Sequence, residues 1–265
     1  MIEFSRLCAG YGGKTVLHDI SLSCPRGQVT VILGPNGCGK STLLKTTPGL
    51  ARIHSGSVTV AGTPLEGYDS TALARQAAFL PQTRRVPEMT VEQLVLHGRF
   101  PWLRYPRRYA PRDWAIAREV MEELSLTEYA HSPLETLSGG TRQRAYLAMA
   151  LAQETDAILL DEPNAYLDIA HSLRLMELCR DLAARGKAVV MDLHDLNLAL
   201  PYAHQVAVLS RGNLLAVGAP EDQKVLRALE QAFDVSIQRY PTPGGVFYHC
   251  RAREEEKQCP YSPCL

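Results

Sequence analysis

The 265-residue chain balances 28 Lys+Arg against 28 Asp+Glu, so no net field draws it to nucleic acid, and its 46% hydrophobic content suffices for a substantial core. No apolar run approaches the roughly 18 residues of a spanning helix, the longest being stretches such as 145–152. The opening MIEFSRL lacks the charged-then-apolar pattern of a signal peptide, and 7 scattered cysteines with no C-x-x-C read as free thiols, so an intracellular protein is expected.

In chain order, apolar residues alternate with polar ones at Ile2, Phe4, Val16, Ile20 and Leu22, which predicts antiparallel strands turning near Gly10, Gly12 and Gly13. The apolar run Val29–Leu33 predicts a buried strand, followed by GPNGCGKST at 34–42 and a helix opening on Leu43-Leu44 and closed by Pro48-Gly49. A short strand pair over 56–60 and 61–65 comes next, then a strand ending in Phe79-Leu80-Pro81-Gln82. From 90 to 136 the period becomes helical, with Val91, Leu94 and Val95, then Ile116, Val120, Met121 and Leu124. Between them, FPWLRYPRRYAPRD carries prolines at 101, 106 and 111 that forbid one continuous helix. Basic and aromatic residues so interleaved suit single-stranded nucleic acid or a protein contact; a solvated loop or a protein docking surface fits this helical lobe better.

Strand–helix alternation then returns, with strands at Ala157–Leu160 and 188–193 around a helix at Ile169–Ala184, and right-handed crossovers between them give a parallel sheet. A hairpin over 206–217 turning at Arg211-Gly212-Asn213, a helix near Gln223–Phe233 and two last strands complete the chain. The C-terminal set His249, Cys250, Cys259 and Cys264 has no common zinc spacing and is read as a tail without metal.

The segment 34–42 sits between strand and helix, the frame a phosphate-binding loop requires. Gly34, Gly37 and Gly39 let the backbone wrap an anion, Lys40 supplies a point charge for terminal phosphates, Ser41 reaches Mg²⁺, and the following helix adds its positive end. A nucleoside triphosphate is the expected ligand. Two further apolar strands end in reactive residues, one at Asp161-Glu162 and one at His194. Ligands of a parallel sheet bind beyond the carboxyl ends of its strands, so these ends converge by topology. Asp161 is placed to hold Mg²⁺ through a water, Glu162 to orient or deprotonate an attacking water, and His194 to donate to the γ-phosphate. Leu137-Ser138-Gly139-Gly140 precedes a helix predicted over 141–153, where backbone amides and Ser138 face an anion.

With these motifs in this order the chain resembles the ATP-binding subunits of ABC transporters over nearly its whole length. The resemblance implies an α/β fold: a P-loop NTPase core with a parallel sheet and an antiparallel β subdomain (1–89 and 137–220), an inserted α-helical subdomain (90–136) and a C-terminal extension (221–265). It makes Tyr11 the aromatic that stacks on adenine, with Val16, Asn36, Gly37, Cys38, Gly39, Lys40, Ser41 and Thr42 in the nucleotide site. Gln82 is the Q-loop glutamine, with a catalytic and a metal role beside Ser41 and Asp161. Ser138, Gly139 and Gly140 belong to the signature, Asp168 to the D-loop, and His194 is the switch histidine. ATP with Mg²⁺ is then sandwiched head to tail between two subunits of a homodimer. The dimer sits peripherally on the cytoplasmic face of the membrane against permease subunits, with a substrate-binding protein as an indirect partner and no nucleic acid.

Thr141 replaces the usual Gln of the signature, Asn164-Ala165-Tyr166 replaces a common Ser-Ala, Pro48 is unusual, and Cys38 stands where Ser or Ala is frequent. None removes a required charge. HGRFPW at 97–102, Leu167-Asp168-Ile169-Ala170-His171 and His194-Asp195-Leu196-Asn197 resemble the iron–siderophore, haem and cobalamin uptake subfamily, with an iron–siderophore as the expected cargo. Within that resemblance, 83–102 is the wall of a groove for a permease helix, with Arg84, Arg85, Arg99 and Arg104 ringing Val86, Met89, Phe100 and Trp102. A soluble ABC ATPase of DNA repair or translation would carry coiled-coil insertions, zinc modules or a tandem domain, which are not seen. A catalytically dead regulator would lack some of Lys40, Asp161, Glu162 and His194.

Overall fold

The structure is a computed structural model and describes residues 1–82, 86–242 and 245–252. Strands β1 (Ile2–Tyr11) and β2 (Lys14–Cys24) pair antiparallel across a turn at Gly12-Gly13. Strand β3 (Val29–Leu33) leads through the 34–39 loop into α1 (Lys40–Thr46), which stops ahead of Pro48. Then come β4 (Arg52–Val60), β5 (Thr63–Pro64), α2 (Ser70–Gln76) and β6 (Ala77–Leu80). Helices α3 (Val91–His97), α4 (Pro111–Glu123) and α5 (Gly139–Ala152) follow and pack on one another. Strand β7 (Ala157–Leu160), α6 (Ile169–Ala184), β8 (Ala188–Asp192), α7 (Leu196–Ala199), β9 (Gln205–Ser210), β10 (Asn213–Gly218), α8 (Gln223–Phe233), β11 (Val235–Thr242) and β12 (Gly245–Ala252) complete the described chain.

The central sheet runs β10-β9-β3-β8-β7-β6, parallel throughout except for the antiparallel edge strand β10. A second, antiparallel sheet runs β2-β1-β4-β5, and β11 pairs with β12 in a two-stranded sheet. Every residue of β3, β7 and β8 is buried, because the sheet is covered on both faces. The alternation within each strand sorts the faces. Val31, Ile158, Leu160, Val189 and Met191 join the core formed with α3 to α6, whereas Ile32, Leu159 and Val190 join the core beneath the antiparallel sheet, with Leu43 and Leu44 of α1. Burying each of those leucines stabilises by about 1.5–3 kcal/mol. They therefore pin the helix that follows the loop.

Helix α2 was not expected from the sequence. Asp69 accepts a 2.7 Å hydrogen bond from the Ala72 amide and acts as its N-cap. A second difference concerns Arg99, expected in a charged surface rim. It is only 3% exposed. Its Nε donates to Asp113 at 3.0 Å, and Nη1 donates to the Ala152 carbonyl at 2.7 Å and to Glu154 at 2.8 Å. It stands where α3, α4 and α5 converge, and a buried guanidinium there must be paired. Arg84 and Arg85 of that rim, and Cys259 and Cys264 of the tail, lie outside the described residues. Among the described residues no helix is long and apolar enough to cross a membrane.

Candidate active site

The loop between β3 and α1 is held by two glycines. A Cβ on Gly34 would lie 2.1 Å from the Leu209 carbonyl oxygen, so no side chain fits against β9 there. Gly39, with φ 110°, is in a region favouring glycine, and its Cβ would meet Leu17 at 2.6 Å. Lys40 is 5% exposed. Its ammonium donates to the loop's own carbonyls, Gly34 at 2.9 Å and Pro35 at 3.4 Å, and a bound polyanion would compete for that charge. Cys38 is buried under the loop, its carbonyl accepting from the Gly212 amide. Burial pushes its thiol up, so it fills space as a neutral group.

Beyond the sheet's carboxyl edge the chains from β6, β7 and β8 meet. Asp161, next after β7, is fully buried, and among the described residues neither of its carboxylate oxygens has a hydrogen-bond partner. Its nearest cation is the Lys45 ammonium at 3.7 Å. A buried carboxylate without donors is costly, and a hard cation on those oxygens would offset that cost. The oxygen donors of Asp161, Ser41 and Gln82 fit Mg²⁺ chemically.

Glu162 is the hub. Its Oε2 accepts from Gln82 Nε2 at 2.5 Å, its Oε1 lies 2.6 Å from His194 Nε2, and its backbone amide donates to Asp192 Oδ1 at 2.6 Å. Its φ of 49° is left-handed, uncommon for a non-glycine residue. Asp192 is fully buried; burial, then the Asp161 charge, push its carboxyl up to about 7, against the Glu162 amide and Lys40, which favour the charged form. Asp192 was missed from sequence, where it was absorbed into the apolar run 188–193. A charge inside such a run, two residues before His194, was the available signal.

Val16, Asn36, Gly37, Gly39, Lys40, Ser41, Thr42, Gln82, Glu162 and His194 line one open cleft of about 500 Å³, a size suited to a small-molecule ligand. Cys38 and Asp161 are buried and do not line it. Tyr11, 44% exposed at the end of β1, is not among its lining residues. Ser138, Gly139, Gly140 and Asp168 are also outside it. Ser138 caps α5, its oxygen accepting from the Thr141 amide at 3.2 Å. Gly139 stands against Tyr166, itself 81% exposed, in a separate hollow that reaches Gln82. Asp168 caps α6, and hydrogen bonds from the His171 amide and ring hold its carboxyl below its usual value.

A phosphate-binding loop facing an acid–amide–histidine cluster at the edge of a parallel sheet defines a P-loop nucleotide hydrolase. A family model for ABC transporters matches residues 17–165, and the chain belongs to that family as an ATP-hydrolysing subunit. It is 39% identical over 244 residues to the iron(3+)-hydroxamate import ATP-binding protein FhuC of Bacillus subtilis, covering 91% of each chain. Among solved structures it is similar to an ABC transporter described as of metal-chelate type in an inward-facing conformation (TM-score 0.80, 27% identity, 94% of this chain and 96% of that one). It is also similar to an ATP-binding cassette in a dimeric post-hydrolysis state bound to ADP and Pi (TM-score 0.73, 25% identity, 84% and 100%).

Proposed function

We propose that this chain hydrolyses ATP as a homodimer on the cytoplasmic face of the membrane and powers import of a ferric siderophore through permease subunits fed by a substrate-binding protein. The observation that carries the reading is the placement of Glu162 between Gln82 and His194 opposite the loop bearing Lys40. In this reading Lys40 leaves the loop carbonyls for the β- and γ-phosphates of ATP, and Tyr11 stacks on the adenine. Ser41, Asp161 and Gln82 hold Mg²⁺, which when bound neutralises charge on the phosphates. Glu162 accepts the proton of the attacking water, and His194 donates to the γ-phosphate. Ser138, Gly139, Gly140 and Asp168 lie outside their own cleft, and so are assigned to the partner's nucleotide in a head-to-tail dimer.

The cargo follows from similarity to an iron–hydroxamate relative and a metal-chelate type transporter, because the ATPase does not itself touch the cargo. The test is uptake of labelled iron by cells lacking the gene, supplied as ferric hydroxamate, other siderophores or haem, with labelled cobalamin in parallel. Selective loss of siderophore uptake is expected. Normal siderophore uptake with loss of haem or cobalamin uptake would reassign the cargo. Intact uptake of all of them would remove the importer role.

A further inference from the structure

The Glu162 main chain occupies a conformation that a non-glycine residue avoids, at the point where its carboxylate must span Gln82 and His194. Left-handed φ at such a residue persists only where its surroundings impose it. Asp161 on one side is tied into the sheet, its amide donating to the Leu80 carbonyl at 2.9 Å. On the other side the Glu162 amide turns away from β6 and finds the carboxylate of Asp192 at 2.6 Å. Asp192 itself cannot drift. It ends the fully buried strand β8, pairs with Ile32 of β3, and follows Met191, which pairs with Leu160 of β7. Its second oxygen, Oδ2, is buried with no hydrogen-bond partner among the described residues, and Asp161 and Glu162 lie close enough for their charges to act on it. An apolar residue would avoid that cost. Among the described residues, the carboxylate's one hydrogen bond is the one it accepts from the Glu162 amide.

We propose that Asp192 is a positioning residue for ATP hydrolysis: its Oδ1 clamps the Glu162 amide, fixes the left-handed turn after β7, and so aims the Glu162 carboxylate at the water-bearing side of the cleft. The proposal rests on Glu162 being the base. The clamp works whether or not Asp192 carries a proton, because Oδ1 accepts in both states. A hydrogen-bonding amide oxygen at the same place would serve as well, whereas an apolar side chain would release the turn.

The experiment measures steady-state ATP turnover, KM and nucleotide affinity of the full-length subunit for wild type, Asp192→Val, Asp192→Asn and Glu162→Gln. Releasing a reacting group by an ångström costs up to about 100-fold in rate. Asp192→Val is expected to lose about 10-fold to 100-fold in kcat with KM and affinity within about threefold of wild type. Asp192→Asn, which keeps the acceptor, restores most of that loss. Should the valine variant not fold, Asp192→Ser, too short to reach the amide, takes its place. Wild-type kcat in the valine or serine variant overturns the proposal. An asparagine variant as slow as valine overturns it too, since charge and not the clamp would then be needed. Turnover retained in Glu162→Gln is a separate failure, of the assignment of the base.

Discussion

His194 Nε2 stands 2.6 Å from Glu162 Oε1, and Gln82 holds the other oxygen of the same carboxylate at 2.5 Å. The proposed base is therefore gripped on both oxygens by side chains from two other loops, one following β6 and one following β8. Glu162→Gln keeps the shape of this contact but cannot take a proton. ATP binding is expected to persist and turnover to fall by about 100-fold or more. ATP with Mg²⁺ should then drive accumulation of a dimer in size-exclusion chromatography. Near-wild-type turnover would place the base elsewhere.

Lys40→Ala removes the charge while leaving the loop backbone, so tight binding of ATP with Mg²⁺ should be lost in a direct affinity measurement. Ser138→Arg should retain ATP at its own loop, because Ser138 lies outside that cleft. A mixture of the two inactive subunits would assemble one intact composite site and recover part of the activity. ATP binding lost in Ser138→Arg alone would contradict the head-to-tail arrangement.

Asp192 makes the stability depend on pH with a definite sign. Its carboxyl is pushed up to about 7 in the folded protein, against about 3.9 when unfolded. The folded state therefore binds the proton more tightly, and stability is lost as pH rises from about 4 to about 7. The full penalty, at most about 4 kcal/mol, is present above that window. Without nucleotide and with EDTA, Asp192→Asn should melt above wild type at pH 8, and the difference should close towards pH 4. A constant difference across the range would show that Asp192 does not titrate in this window.

The aromatic patch and the buried arginine beside it should separate cleanly. Removing Arg99 leaves Asp113 buried without its partner, so Arg99→Ala should cost about 3–5 kcal/mol of stability by denaturant titration. Phe100, 43% exposed with Arg107 over its ring at 4.5 Å, should cost less than about 1 kcal/mol as Phe100→Ala. If it anchors the permease, as aromatics often do, that variant should assemble poorly and transport less while binding ATP normally. Trp102 gives a poorer test, since its Nε1 donates to the Gln153 carbonyl at 2.8 Å and its ring lies beneath Arg75 and Arg99.

What the sequence revealed were features written locally. GPNGCGKST between a strand and a helix, ILLDE and the histidine after 188–193 each carry their chemistry within a few residues, and the order of the parallel strands brings them together. What it concealed depends on partners far along the chain. Arg99 reads as one more surface cation until Asp113 and Glu154 are seen on it. Asp192 meets Glu162 only because β7 and β8 are neighbours in register. Helix α2 has none of its residues fully buried, so it has no strong apolar period to announce it.

The Arg99 junction has a mechanical meaning. One guanidinium ties the turn after α3 to α4 through Asp113 and to the end of α5 through Ala152. Helix α5, about 21 Å long for its 14 residues, begins at Ser138 and ends at this knot, beside Phe100. Sliding of the helices past one another would have to break these buried charged contacts, so the junction stiffens the lobe between its aromatic end and the Ser138 end of α5.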